Sequence, residues 1–538
     1  IDKYILHPTK VLLRLIYLSF NFLPILIYFP TCFVGDEKTK NRRFNSFYNY
    51  LTYRIELAGP TFVKLGQWAA TRADLFPKEF CEVLSKLHSR VNPHPISYTR
   101  KLFQECFPGL TLEDVFDEFL EKPIGVGAMA QVYRAKLKKD LVYQDLPNIN
   151  NQLLAPTYQL PPLHNGYVAV KVLHPRARKS VERDLIILSI LASVVTTLVP
   201  TLQWVSLEEE VKTFSKMMHE QLDLITEANN LTKLRHNFRA QKEVKFPRPI
   251  LPLVSESILV EKFEHGVPLK KFMDLGEDGV FNQDIAAVGL NSFLKMLLLD
   301  NFIHADLHPG NIMVKFYRPS KDGWFNKLRS ILDYTFKHQS IEDIFNKIRA
   351  EYPGDFNQFK EVLNDLYTIS FYPQFIFLDA GLVTTLDDIN RINFIDLFKS
   401  VAEFDGKKSG ELIIDRSSRP EQVTNREEFV EKMSKLILHL RSSAFKLSSV
   451  DISSLLGNVF SMVRNHRVKL EGEFVNVVMS IMILEGVGRT LDPELDLFRE
   501  ALPLLRSLGT STITPMPMSD GPFWFIKIWF GLEARQIL

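Results

Sequence analysis

The stretch FIHADLHPGN, residues 302–311, decides how the rest of this chain is interpreted. It gathers aspartate, histidine, proline, glycine and asparagine, which suit neither a core nor a helix interior. Residues 284–301 just before it predict a helix, so the stretch begins where that helix ends. Asp306 and Asn311 lie five positions apart on the predicted loop. Carboxylate and amide side chains placed this way predict phosphate and metal chemistry, without naming the molecule acted upon.

Length and composition limit which classes of protein can carry this loop. The chain has 538 residues, 46% of them hydrophobic, which is enough for more than one domain and a large core. Basic and acidic residues nearly cancel, at a net charge of +2, so nothing indicates a nucleic-acid partner. Cys32, Cys81 and Cys106 are widely spaced and form neither a metal motif nor a disulfide framework. Their pattern favours a reducing compartment.

The N-terminal segment 1–43 contains an uncharged stretch long enough to cross a bilayer. Residues 15–34 read LIYLSFNFLPILIYFPTCFV, with basic residues on both sides. Pro24 and Pro30 disfavour a regular helix, although membrane helices tolerate proline better than soluble ones. Two interpretations stay open: a segment that spans or dips into a membrane, and a hairpin packed on the protein. A second apolar run, 185–200, is shorter and predicts a buried helix.

Elsewhere, helical and strand-like patterns alternate along the chain. Helices are predicted over 44–105, 178–245, 284–301 and 387–510, and strands over 114–137, 167–174 and 256–266. Ser206, followed by three glutamates, predicts a capping box at a helix start. The layout predicts an α+β, bilobal fold with a small mixed α/β lobe, a larger helical lobe and a helical extension in front.

The expected domains follow from this layout. They are a hydrophobic segment at 1–43, a helical extension at 44–110, a small lobe at 111–266, a large lobe at 267–510 and an aromatic tail at 511–538. Residues 138–166 are rich in Asn, Gln, Pro and Leu and predict a loop insertion. A second insertion, 315–374, is interpreted either as a solvated helical excursion or as a partner-docking module. The tail suits an interface or packing against the lobes.

Four short segments, taken in their order along the chain, predict the kind of site. The first two belong to the predicted small lobe. PIGVGAMAQVYRA, residues 123–135, predicts a glycine turn between strands, able to bring backbone N–H groups close to phosphates. VAVKV, residues 168–172, places Lys171 in an apolar strand, where its ammonium needs an anion. Glu227 on a later predicted helix can supply one, and Asp223, four residues earlier, would share its helical face.

The other two segments come from the predicted large lobe. Asp306 and Asn311 have the spacing of the protein-kinase catalytic loop, in which the aspartate accepts the substrate proton and the asparagine holds magnesium. FIFLDAGL, residues 375–382, places Asp379 at a strand end before a glycine, as expected of a metal ligand beside phosphates. The four segments, in kinase order, predict a protein-kinase-like site for ATP and Mg²⁺.

Two motifs together resemble one known family. HADLHPGN, in place of the usual His-Arg-Asp loop, and FVKLGQWAATRADLFP, residues 62–77, closely resemble the UbiB family, also called aarF-domain-containing kinases. These are atypical kinase-like proteins tied to coenzyme Q metabolism in bacteria and mitochondria. The resemblance covers about residues 45–510, and the insertions are similar to those of a metazoan mitochondrial member.

The resemblance implies a role for each site residue. Lys171 would hold the α- and β-phosphates and pair with Glu227. Asn311 and Asp379 would bind Mg²⁺, while Asp306 would act as a base or orient a water. The residues expected to contact ATP are Gly125, Val126, Gly127, Ala128, Met129, Lys171 and Glu261.

The resemblance also implies a regulatory cover over the groove in which a peptide substrate would lie. Lys64, Gly66 and Gln67 form the family's Lys-x-Gly-Gln motif, with Lys64 and Gln67 expected to face the phosphates. The motif's expected partner is a Glu-x-Asp sequence that here ends in Asp223 but begins with Gln221. A glutamine offers a weaker, neutral hydrogen bond. The nucleotide loop also departs from the family, with glycines where relatives have alanines.

The function implied is an ATPase or a small-molecule or lipid kinase that supports mitochondrial coenzyme Q biosynthesis and lipid metabolism. The expected partners are ATP, lipid or coenzyme Q intermediates, proteins of that pathway and the inner membrane. The alternatives are an ATP-dependent lipid-binding chaperone, a protein serine/threonine kinase and a nucleotide-binding pseudokinase scaffold. All the catalytic side chains are present, which disfavours the scaffold.

Overall fold

The computed structural model describes most of the chain in separate stretches. The described residues are 7–87, 92–138, 166–276, 279–318, 356–368, 370–444 and 452–495. Nearly all of the predicted insertion at 138–166, residues 319–355 of the second insertion and the tail 511–538 lie outside the described residues.

Helices open the described part of the chain. They are α1 (His7–Tyr28), α2 (Glu37–Ala58), α3 (Pro60–Ala70), α4 (Lys78–Leu84), α5 (Ile96–Cys106) and α6 (Leu112–Val115). Gly59 separates α2 from α3 with a φ of +100°, a left-handed conformation that favours glycine, and Pro60 then begins α3. This turn brings α3, which carries the Lys64 motif, back against α2.

Twelve strands occur in the described residues. They are β1 (Phe116–Phe119), β2 (Gly125–Val126), β3 (Ala130–Leu137), β4 (Tyr167–Leu173), β5 (Val244–Lys245), β6 (Pro249–Val254), β7 (Ile258–Lys262), β8 (Val267–Pro268), β9 (Ile303–His304), β10 (Ile312–Tyr317), β11 (Tyr372–Phe377) and β12 (Val383–Thr384). An antiparallel sheet in the order β1-β3-β4-β7-β6, with β2 paired to β3, forms the small lobe. A second sheet in the order β5-β11-β10-β8 and a ribbon of β9 and β12 belong to the large lobe.

Three helices lie between β4 and β5 in the chain. They are α7 (Ala177–Leu198), α8 (Leu207–Gln221) and α9 (Leu224–Asn237). The capping-box prediction at Ser206 is wrong, because Ser206 adopts a left-handed conformation and its side chain does not cap α8. Its neighbouring glutamates serve longer-range contacts instead: Glu209 binds Lys469 at 2.8 Å, and Glu210 pairs with buried Arg72.

The large lobe is mainly helical. Its helices are α10 (Leu269–Met273), α11 (Asn282–Leu294), α12 (Phe356–Thr368), α13 (Asp388–Ala402), α14 (Gly406–Asp415), α15 (Arg426–Ala444), α16 (Ile452–Asn465) and α17 (Gly472–Leu491). Helix α17 is long and apolar enough to cross a membrane, yet it packs against α11 and α16 and contributes buried Val477 and Leu491 to the core. The result is the predicted bilobal, kinase-like α+β fold.

The helical extension is fastened to α8 through a buried ion cluster. Arg72, just after α3, is fully buried, pairs with Asp74 at 2.7 Å and also bonds Glu210 on α8. Burial alone would lower the pKa of Arg72, but the two carboxylates outweigh burial and raise it. A buried charge needs such complete pairing, so this cluster sets where α3 lies over the lobes.

Candidate active site

Three of the predicted site residues meet at one point between the lobes. The Lys171 ammonium on β4 donates to both carboxylate oxygens of Glu227, at 2.7 and 2.8 Å, and to Oδ2 of Asp379 at 3.1 Å. Glu227 on α9 is buried, and the Lys171 side chain is 18% exposed. The apolar strand therefore directs its one lysine at two acids that come from different lobes.

The start of α9 positions Glu227. Asp223 is the N-cap residue, and its carboxylate accepts from the backbone N–H of Ile225 at 3.0 Å and from the Thr226 hydroxyl at 2.8 Å. The prediction that Asp223 and Glu227 share a helical face is wrong, because Asp223 lies outside the helix in an extended conformation. Its carboxylate caps the start of α9 instead.

Two carboxylates share the positive charge of Lys171. Burial would lower the pKa of Lys171, but Asp379 and Glu227 outweigh burial and raise it. Burial would likewise raise the pKa of Asp379, but Lys171 and the N–H of Gly381 hold it below its ordinary value. Burial raises the pKa of Glu227 to about 7, against the attraction of Lys171. Lys171 therefore keeps Asp379 ionised, whereas burial opposes the charge on Glu227.

Glu261 lies at the back of this cluster. It lies on β7 opposite Ala169 of β4, is buried, and has an Oε2 atom without a hydrogen-bond partner among the residues that the structure describes. Burial and then the negative charge of Glu227 raise its pKa well above the ordinary value. A protonated carboxyl can donate a hydrogen bond, so the raised pKa favours Glu261 as a hydrogen-bond donor behind the cluster.

His304 joins the two aspartates, a connection that the motif pattern did not predict. Its Nδ1 accepts from the backbone N–H of Asp306 at 3.2 Å, so its Nε2 carries the proton and donates to the backbone carbonyl of Asp379. Strand β9 also pairs with β12, which places His304 opposite Val383. This pairing holds the backbone near Asp306 beside the backbone that follows Asp379. His304 lies in FIHADLHPGN beside Asp306, and this position in the sequence could have indicated a role in the site.

The glycine loop is a hairpin whose end is tied to the strand that carries Lys171. The N–H of Gly127 donates to Ala130 at 2.8 Å, and the N–H of His174 donates to the carbonyl of Met129 at 2.8 Å. Nε2 of His174 also donates to the carbonyl of Gly127, at 3.0 Å. Gly125 and Val126 are exposed, whereas Ala128 and Met129 are buried. Sequence reasoning missed His174, which follows β4 directly.

The Lys-x-Gly-Gln helix lies over Asp306. Nζ of Lys64 is 4.0 Å from Oδ2 of Asp306, and both residues line a cavity of about 270 Å³. Gln67 lines the same cavity, but its amide donates to the carbonyl of Leu87 at 3.0 Å. A Cβ on Gly66 would lie 2.3 Å from Leu87, so glycine permits this close packing. Lys64 therefore faces Asp306, whereas the side chain of Gln67 bonds to the backbone of Leu87 after α4.

Asn311 and Asp379 stand at the same end of two paired strands. Ile312 of β10 lies opposite Phe377 of β11, and the N–H of Leu378 donates to the carbonyl of Asn311 at 2.9 Å. No metal-ligand group of three or more His, Cys, Asp or Glu residues occurs in the part of the chain that the structure describes. Mg²⁺ commonly takes one or two protein oxygens and completes its shell with phosphates and water, so this pair fits a nucleotide-bound Mg²⁺.

Comparison with known proteins places this site in a family. Residues 86–142 and 159–343 match the ABC1 atypical kinase-like domain, and residues 443–496 match the UbiB helical domain. A mitochondrial ABC1 family protein of Saccharomyces cerevisiae is 39% identical over 99% of this chain and 80% of the relative. One of Schizosaccharomyces pombe, also mitochondrial, is 38% identical over 98% of this chain and 75% of its own length.

More distant relatives extend the comparison to bacteria. UbiB of Klebsiella pneumoniae is 26% identical over 89% of this chain and 74% of its own length. The solved structure of Rv3197 with erythromycin, from Mycobacterium tuberculosis, covers 85% of this chain at a TM-score of 0.44 and 16% identity, too loose for residue-level correspondence. The fold and the Lys171–Glu227–Asp379 cluster define a kinase-like protein. The chain belongs to the ABC1/UbiB family of atypical kinases.

Proposed function

We propose that this protein binds ATP with Mg²⁺ and transfers or hydrolyses the γ-phosphate in support of mitochondrial coenzyme Q biosynthesis and lipid metabolism. The observation that carries the proposal is the contact of Lys171 with Glu227 and Asp379, at 2.7 and 3.1 Å. In protein kinases a strand lysine paired with a helix glutamate is needed for activity.

Each residue near this contact has a task that its surroundings support. Lys171 binds the α- and β-phosphates, and Glu227 holds its ammonium in place. Asp379 and Asn311 hold Mg²⁺, which neutralises phosphate charge when it is bound. Asp306 orients or deprotonates the attacking group, and His304 keeps its backbone in register with that of Asp379.

The neighbourhood of Asp306 favours a small acceptor over a protein substrate. Lys64 stands 4.0 Å from Asp306, and α3 covers the groove on that side. The cavity of about 270 Å³ is slightly smaller than the usual range for small-ligand pockets, about 300–1,000 Å³. Water or a small molecule can enter such a space, whereas a peptide needs an open groove.

The coenzyme Q and mitochondrial parts of the proposal rest on relatives. The two yeast proteins are named as mitochondrial, and UbiB shares the family's domain. Lipid or coenzyme Q intermediates and proteins of that pathway are the proposed partners, at the inner membrane. An ATP-dependent lipid-binding chaperone would use the same nucleotide chemistry, with a lipid bound and released instead of phosphorylated.

Phosphate release from Mg·ATP by the full chain tests this function, with and without a coenzyme Q-like lipid. Asp306→Asn should keep ATP binding and lose turnover, since the residue acts on the attacking group and not on the bound nucleotide. Glu220→Gln, an acid that lines the same cavity, is the matched control and should keep turnover. Turnover at the wild-type rate in Asp306→Asn would refute the assignment. ATP binding without any turnover in the wild type would favour the scaffold.

A further inference from the structure

The outward side of α1 is apolar. Its buried stripe includes Leu18 and Ile25, which pack on the protein as an amphipathic helix should. The opposite side carries large apolar residues that are 44–71% exposed: Leu12, Leu13, Ile16, Tyr17, Phe20, Leu23, Leu26 and Ile27. The apolar window Pro8–Phe33 is only 17% buried. A surface helix normally turns polar residues outward, so this face needs a partner.

Polar contacts fasten α1 to the protein along its length. Arg14 donates to both carboxylate oxygens of Asp184 on α7, at 2.8 and 3.0 Å, and also to the carbonyl of Ala58 at 2.5 Å. The buried amide of Asn21 donates to the carbonyl of Arg54 at 2.8 Å. A spanning α1 would have to break these contacts and leave Asp184, which is 1% exposed, as an unpaired buried charge.

Helix α7 continues the same apolar surface. The chain carries no charged residue from Leu185 to Leu207. The prediction of a buried helix at 185–200 is only half right. One side packs inward, but Ile186, Ile190, Leu191, Val194, Leu198 and Val199 are 39–73% exposed. Ile190, Val194 and Leu198 recur every four residues and form one stripe.

The two helices contact each other, although 170 residues separate Arg14 from Asp184. The fold thus joins two uncharged segments that are remote in sequence into one apolar surface. Residues 7–58 contain seven basic and three acidic residues, and the first turns of α7 add the exposed Arg176 and Lys179. An apolar face accompanied by excess positive charge complements an anionic lipid leaflet.

We propose that α1 and the second half of α7 insert together, side-on, into one leaflet of a lipid bilayer, so that α1 does not cross it. The ion pair between Arg14 and Asp184 stays intact, because it lies on the protein side of both helices. Membrane contact would then involve the kinase-like core itself through α7, and not only an N-terminal anchor. This inference concerns a surface apart from the nucleotide site, so its failure would leave the proposed ATP chemistry standing.

Vesicle flotation of the full chain tests the proposal. The probes are vesicles of phosphatidylcholine alone and of phosphatidylcholine with phosphatidylglycerol in a four-to-one ratio. Ile190→Glu combined with Val194→Glu should lower vesicle partitioning about tenfold or more, because two charges would enter the apolar layer. Ile389→Glu combined with Leu438→Glu changes residues that are 72% and 52% exposed on other helices. This control should float like the wild type.

The insertion depth is tested with brominated lipids, which quench nearby tryptophan. Phe20→Trp and Val194→Trp should each be quenched beyond the wild-type background, and both most strongly by bromines near the headgroups. Ile389→Trp should not. Quenching of Phe20→Trp by bromines at the bilayer centre, with none for Val194→Trp, would show a spanning α1 and overturn the proposal.

Two further outcomes would also overturn it. If the α7 double variant floats with vesicles as well as the wild type does, α7 is not part of the membrane-binding surface. A dimer in light scattering that the α7 double variant dissociates, with no flotation of the wild type, would assign the surface to a second copy of the chain. Unchanged circular dichroism of the variants shows that the exposed substitutions leave the fold in place.

Discussion

The ammonium of Lys64 faces the carboxylate of Asp306 at 4.0 Å, so the helix that covers the cleft touches the proposed catalytic aspartate. The Lys64 and Asp306 side chains are 20% and 41% exposed, and solvent therefore screens the attraction between them. The contact is a weak restraint in energy. Its position matters more, because it fills the space that the attacking group of a substrate would need.

Replacement of Lys64 by alanine should loosen this cover without destroying the site. The bonds of Lys171 to Glu227 and Asp379 do not involve Lys64. ATP binding should therefore persist, with an altered nucleotide preference or autophosphorylation detectable by mass spectrometry. The effect should be modest, because Gln221 in place of glutamate leaves the cover without a charged partner there. Lys64→Arg is the conservative control and should stay closer to the wild type. If Lys64→Ala folds but binds no nucleotide, Lys64 is an essential ligand and the cover hypothesis fails.

Replacement of Asp379 by asparagine should weaken Mg·ATP binding by about tenfold or more. Asp379 is the acid of the site whose pKa lies below its ordinary value, so it presents a full negative charge to a cation. Calorimetric titration with Mg²⁺, and again with EDTA, separates the metal-dependent part of the affinity. An unchanged Mg²⁺ dependence in a folded variant would contradict the metal assignment.

Replacement of Glu261 by glutamine should stabilise the protein at pH 8 and change little at pH 5. The pKa of Glu261 is raised in the folded state by burial and by Glu227, so folding keeps a proton that the unfolded chain releases above its ordinary pKa. Unfolding thus becomes easier as the pH rises through this window, and glutamine removes that cost. Thermal unfolding at both pH values measures the effect. A variant destabilised equally at pH 5 and pH 8 would show that Glu261 serves packing alone.

The site could be predicted from sequence where short motifs carry it, and not where distant segments meet. Lys171, Glu227 and Asp379 come from strand, helix and loop patterns whose order along the chain indicates a kinase-like site. Asp223 was predicted to share a helical face with Glu227 but precedes α9 as its N-cap, because helix boundaries are poorly encoded in sequence. The pair of Arg14 and Asp184 has no local pattern, since it depends on how α1 packs against α7.

A second long-range contact, between His94 and His174, ties the glycine loop to the helical extension. Nε2 of His174 donates to Gly127, so its Nδ1 must accept, and it does so from Nδ1–H of His94 at 2.9 Å. Nε2 of His94 then accepts from the hydroxyl of Thr99 at 3.0 Å, and Thr99 accepts from that of Tyr133 at 2.9 Å. In this arrangement each imidazole carries one proton and is neutral.

Acidification should therefore destabilise the protein through this pair. Burial, and then His174, lower the pKa of His94 to about 4, while the unfolded chain binds the proton near the ordinary value of about 6.5. Between these values the unfolded state binds more protons, so stability falls as the pH falls, by on the order of 3 kcal/mol in total. Urea unfolding from pH 7 to pH 4.5 measures the slope, which should be shallower in His94→Gln. His219→Gln, an exposed histidine whose loss should leave the slope unchanged, is the control. Equal slopes for the wild type and His94→Gln would show that the buried pair does not set the acid sensitivity.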